Sequence, residues 1–276
     1  MRPALPDLHE SAGRRRGERV LGVAAGVAAV AALVLGLWVA PPDAVQGQAQ
    51  RLMYLHVPAA WTGFVAVGVV ALASMVVLLG GGRAWSALAR GAGELSVAML
   101  ALAYAEGMTW GHASWGVWWT WDPRLVTTGI LLLTCVGYVA MSFLGRDGEA
   151  GSRAGERRTA MVGLLAAAEV PVVHLSVLWW RSIHQPPTLL RPSLSAPIDP
   201  VMLVALLVAV VAFTLAGAWY VARRLDQQLS AAEPPVASPA AATSILPATA
   251  ATAAPVPAPA PAVPLPATAD DPVVRR

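Results

Sequence analysis

The chain has 276 residues, of which 57% are hydrophobic and only 13% charged, and its mean hydropathy is +0.59. Soluble domains carry about 25% charged residues, so a water-soluble fold is excluded, and a net charge of +3 is too small to indicate a nucleic-acid partner. The one cysteine, Cys135, excludes internal disulfides, a multi-cysteine metal site and a CxxCH motif.

A bilayer core needs about 20 apolar residues per spanning helix. In chain order, six segments meet or approach this length: Val20 to Ala40, Val57 to Leu79, Ala92 to Thr109, Leu125 to Leu144, Thr159 to Leu178 and Val201 to Ala222. The first follows Arg14-Arg15-Arg16, and its apolar stretch is longer than the 7 to 15 residues of a signal-peptide core, so it reads as a retained helix. The third is interrupted by Glu94 and Glu106, and the fifth by Glu169 and Pro171. The fold expected is an all-α polytopic membrane protein with six transmembrane helices. It divides into an N-terminal segment (1–19), a membrane domain (20–225) with a tryptophan-rich loop at 110–124, and a tail (226–276). The tail is Ala/Pro/Thr-rich without amphipathic period and reads as disordered.

Arginines set the orientation. In alternate connections, one side gathers 15 of the 19, while the other holds only Arg51, Arg124, Arg181 and Arg191. By the positive-inside rule both termini are cytoplasmic, and the arginine-poor loops face outward.

Those outward loops carry the chemistry. Five of the 11 tryptophans fall between Trp110 and Trp121, a density that an ordinary interfacial aromatic belt does not explain. Positions 115, 118, 119 and 122 follow the spacing of one helical face, which predicts a flat indole shelf suited to a large planar apolar ligand. Arg124 adds a fork for carboxylates. Asp122 precedes Pro123 and an apolar run, so it reads either as the N-cap of the fourth helix or as a contributor to the site through Arg124. Asp199-Pro200 repeats the capping pattern before the sixth helix. Apart from His9, every histidine (His56, His112, His174 and His184) lies in or near the outward face, and neutral imidazole is the common axial ligand of heme iron. His56 lies just ahead of Pro58, where the second helix is expected to begin, and His184 in the loop after the fifth. Helix starts and an arginine at one surface suit the two propionates of heme. Glu106 and Glu169 are intramembrane acids without an evident partner, and Cys135 reads as a packing residue.

These residues resemble a known family. RLMYLHVPAA (51–60), WGVWWTWDPRL (115–125), PVVHLSVLWW (171–180) and SIHQ (182–185) are similar to blocks of the heme exporter C family, the cytochrome c maturation protein C group of the WWD-motif superfamily. The chain departs from that pattern at Pro123, at Val126 and in its tail. The resemblance implies that His56 and His184 are the axial ligands of heme iron, and that Trp115, Trp118, Trp119, Trp121, Asp122 and Arg124 form the heme platform. It implies a multi-pass protein of the bacterial inner membrane that is not an enzyme. Such a protein holds heme b at the periplasmic face and delivers it to a membrane-anchored heme chaperone, together with ABC-type transporter subunits. A heme-attachment synthase of the same superfamily would carry more helices and intramembrane histidines. A solute permease would need a polar path, for which Glu106 and Glu169 are the only hints, and a b-type electron carrier would need paired histidines deep in its helices.

Overall fold

The computed structural model describes residues 8–144, 153–184 and 198–231, and all of them fall within one compact unit. The described residues are helical apart from short connections. The helices are α1 (Leu8–Val34), α2 (Met53–Leu78), α3 (Arg83–Trp115), α4 (Pro123–Leu144), α5 (Arg153–Trp179) and α6 (Pro200–Ser230). With the π-helical turn Leu35–Val39 and the 3₁₀ turn Gln48–Leu52 added to α1 and α2, six helices are long and apolar enough to cross a membrane. This is a polytopic, all-α integral membrane protein.

Every expected span is present, but most of the helices outrun the apolar segments that marked them. Hydropathy marks only the part of a helix matched to lipid, whereas the helical hydrogen-bond ladder continues through polar residues until something stops it. Thus α3 starts at Arg83, not Ala92, and runs on through Trp110 and His112 to Trp115, so the first part of the expected loop 110–124 is helix. It stops where Gly116 takes a left-handed conformation (φ 75°) and closes the last turn on the His112 carbonyl. Residues 118, 119 and 122 therefore do not continue a helical face from Trp115, and that expectation is corrected. Likewise α1 begins inside the expected N-terminal segment, and α6 continues to Ser230, past the expected boundary at 225. Residues 232–276, most of the expected tail, lie outside the described residues, as do Arg146 and Arg191.

Helix α2 is central, packed against α3, α5 and α6, while α4 joins α3 and α5, and α1 lies against α6. Lipid tails are as apolar as leucine, so helices gain by approaching closely at small residues. A Cβ on Gly63 would come within 2.9 Å of Leu100, and one on Gly93 within 2.6 Å of Tyr138. Val20, Val23, Val27 and Val30 of α1 face outward, as a lipid-bathed helix allows. Several polar groups tie the helices together. Arg224 grips both oxygens of Glu94 at 2.5 and 2.7 Å, with the Tyr220 hydroxyl donating at 2.9 Å, which ties α6 to α3. Thr134 donates to Glu169 at 2.9 Å. Arg51 donates to the carbonyls of Gly36 and Ala40, closing the end of the first span. An Asp43 turn then presents Gln46 to the Trp110 indole N–H (3.0 Å).

Candidate functional site

The start of α2, the end of α3, the start of α4 and the segment after α5 lie at one end of the bundle, and with them come Trp110, Trp115, Trp118, Trp119, Trp121, Trp179 and Trp180 and His56, His112, His174 and His184. His56 does not sit in a loop ahead of its helix, as the sequence suggested: α2 begins at Met53 and places it in the first turns. Pro58 lies inside the helix, where it removes the ladder bond to the Tyr54 carbonyl, and α2 continues through it. The His56 Nδ1 lies 2.9 Å from the Ala103 carbonyl. A carbonyl can only accept, so Nδ1 carries the proton and Nε2 keeps its lone pair. Two further residues of α3 complete the slot at i, i+4 and i+7. Gly107 supplies the space, since a Cβ there would come within 2.9 Å of His56 Cε1. Trp110 meets the imidazole edge-on, with ring centroids 5.7 Å apart.

His184 is held by entirely different means. Its Nδ1 is 3.1 Å from Asp122 Oδ1, so here too the acceptor fixes the proton on Nδ1 and leaves Nε2 available. Asp122 is only 5% exposed, and each of its oxygens accepts twice. Oδ1 takes the Arg124 N–H (2.9 Å) and His184, while Oδ2 takes the Ser182 hydroxyl (2.7 Å) and the Ile183 N–H (2.9 Å). The Asp122 carbonyl accepts the Val126 N–H as α4 begins. The two readings of Asp122 are therefore compatible: it caps α4 and also anchors the segment that carries His184. Burial pushes its carboxyl up, but the bonds from Ser182, Ile183 and Arg124, with His184, prevail and hold it below the usual carboxylate range. The His184 imidazole is shifted down from its ordinary value of 6.5, by burial first and by the Arg124 charge as well, against the opposing pull of Asp122. It is neutral at pH 7.

The tryptophans form an exposed group. Trp115 is 40% exposed, Trp118 57%, Trp119 38% and Trp121 83%, values unusual for so large an apolar side chain. Trp115 puts its ring against the His184 imidazole at 5.2 Å, Trp119 lies between Tyr104 and Trp121, and Trp118 stacks flat on His112 at 4.2 Å with 7° between planes. The Arg124 charge is in electrostatic range of His56, His174, His184 and Asp122, which places a cation among the imidazoles. Sequence reasoning missed Ala103, Gly107, Tyr104 and Ser182, and it set His112 aside. Ser182 alone carried a signal, since it opens the SIHQ block.

Two imidazoles with fixed donor sides and free Nε2 atoms, a cation and a surface of indoles can hold a flat, anionic, metal-bearing ligand. Among the described residues no three His, Cys, Asp or Glu side chains converge to cage a metal unaided. A metal held here would have to bring further ligands of its own.

Comparison with known proteins agrees with this chemistry. The family model for heme exporter protein C matches residues 9–236. The chain is similar to heme exporter protein C of Bradyrhizobium diazoefficiens, with 36% identity over 68% of this chain and 71% of the relative. It is also similar to the heme exporter protein C of Escherichia coli K12 (34% identity; 66% and 71%) and to that of Haemophilus influenzae (30%; 71% and 78%).

Proposed function

The chain belongs to the heme exporter protein C family, and we propose on that premise that it holds heme b at the periplasmic face of the bacterial inner membrane during cytochrome c maturation. His56 and His184 are the axial ligands, Trp115, Trp118, Trp119 and Trp121 cover the porphyrin, and Arg124 receives propionate. Asp122 is a positioning residue for His184. The observation that carries this reading is the pair of imidazoles whose Nδ1 atoms are each engaged, one by the Ala103 carbonyl and one by the Asp122 carboxylate, leaving both Nε2 atoms for iron.

The protein makes and breaks no covalent bond of its cargo; its chemistry is ligand exchange. His56 stands on a helix, while His184 hangs on a non-helical segment secured by one carboxylate. His184 is therefore the ligand that lets go when heme passes to a membrane-anchored heme chaperone, and ABC-type subunits of the same system act beside it. The arginine asymmetry supports placing the site outside and both termini inside.

Absorption spectra of the purified full chain test the ligand assignment. The wild type is expected to carry six-coordinate heme, and His56→Ala and His184→Ala to lose most of it, with recovery when imidazole is supplied. Unchanged heme content in both variants would reject the reading.

A further inference from the structure

At the end of the bundle away from the tryptophans, α2, α3, α4, α5 and α6 leave a cavity of about 440 Å³ between them. This is the size range of small-molecule sites. Its wall is apolar along Val77, Ala89, Met141 and Ala160, and it carries charge where α3 and α5 begin, at Arg83, Arg90 and Glu156. Glu156 already accepts from Ser86, at 3.4 Å. Arg83 is exposed at the rim.

The inner wall has polar groups without a protein partner. Gln228 Nε2 and Ser74 Oγ are buried without a hydrogen bond among the described residues, and Ser74 is only 1% exposed. Ser74 lies within reach of the Tyr138 hydroxyl on the same wall. The depth around them is kept open by glycine, since a Cβ on Gly163 would come within 2.6 Å of Ser74 Oγ and 3.1 Å of Tyr138. A buried donor without an acceptor costs about 1–3 kcal/mol, and native structures keep few of them. The groups left over here, an amide N–H and a hydroxyl behind a guanidinium rim, all accommodate an acceptor-rich ligand.

We propose that this cavity is a second binding site, for an amphiphile with an anionic carboxylate or phosphate head and an apolar body. The head meets Arg83 and Gln228, and the body lies along the alanines. Two sources share that chemistry: an anionic membrane lipid and a carboxylated porphyrin. Only the porphyrin source rests on the function proposed above.

The full chain in phosphatidylcholine nanodiscs separates the two sources. One probe is metal-free protoporphyrin IX, which no histidine can ligate. The other is phosphatidylglycerol, added at a tenth of the lipid. At least one probe is expected to bind saturably and to lose about tenfold in affinity with Gln228→Leu and with Arg83→Glu, while Val27→Ala, on the outward face of α1, leaves that affinity unchanged. A porphyrin response identifies the cargo as occupant, and a phosphatidylglycerol response identifies lipid. Affinities for both probes that respond to neither cavity variant overturn the proposal. Arg83→Glu is a rim change that leaves the fold intact, so it remains decisive if Gln228→Leu does not accumulate. The absorbance of iron heme at the tryptophan end, read on the same samples, reports on that site separately. Its loss in the wild type would sink the function proposed above without touching this one.

Discussion

His56 and His184 offer free Nε2 atoms through opposite constructions. His56 is packed between two long helices and donates to a backbone carbonyl, an acceptor that no side-chain substitution removes and no pH change titrates. His184 sits on a non-helical segment and donates to Asp122, a carboxylate that also holds Ser182, Ile183 and the first turn of α4. One support is spread along the stripe Ala103, Gly107 and Trp110, and the other is concentrated in a single side chain. A concentrated support is simple to break and simple to regulate. That suits the role proposed for His184 as the ligand that releases heme.

The sharpest break is therefore at Asp122. Asp122→Ala strands a hydroxyl, two backbone N–H groups and the His184 Nδ1 together. Loss of the cap costs about 1 kcal/mol, and loss of an imidazole's orienting partner typically costs 10–100-fold in metal affinity. Heme retention is expected to fall at least tenfold, as measured by heme titration of purified protein. Asp122→Asn keeps a cap but loses the charge, and it should lie between Asp122→Ala and the wild type. If Asp122→Ala retained heme as well as the wild type, the contrast between the two supports would be wrong.

On the other side of the contrast, Gly107 is the weak point of the His56 support. A Cβ 2.9 Å from His56 Cε1 forces the imidazole to move, and the ring cannot move without lengthening its 2.9 Å bond to Ala103. Gly107→Ala should weaken heme binding several-fold and shift the absorption maximum, because one of the two proposed axial ligands is displaced and not deleted. Normal binding in this variant would mean that the α2–α3 contact yields more readily than the packing indicates.

These two residues also mark how far sequence reading reached. The spans were legible because a bilayer demands about 20 apolar residues in a row. The helix ends were not, because Arg83 to Gly91 and the stretch up to Trp115 are polar or aromatic yet stay helical until Gly116 turns. Asp122 was legible as a cap from the Asp-Pro pair. Its hold on Ser182 and His184, some 60 residues away, depends on α4 and α5 lying side by side, which no local pattern encodes. Gly107 looks like any small residue in a membrane helix until α2 places a histidine against it. The residues proposed to hold heme stood out in the sequence, while the residues that aim them appeared only with the packing.

The smallest effect expected is also the one that separates the two supports without mutation. Only neutral His184 has a lone pair for iron, and burial together with Arg124 sets its proton affinity below the ordinary value of 6.5, partly offset by Asp122. Lowering the pH from 8 to 6.5 should then change heme affinity by no more than about twofold, because an imidazole shifted below 6.5 is at least half neutral at that pH. Below its depressed pKa, protons compete for the same nitrogen, and affinity should fall about tenfold per pH unit. Asp122 raises that pKa, so Asp122→Asn should move the titration of heme-free His184, followed by NMR of labelled histidine, to still lower pH. A titration above 6.5 in the wild type, or a shift upward in Asp122→Asn, would mean that the carboxylate does not govern this imidazole, and the asymmetry between the two supports would go with it.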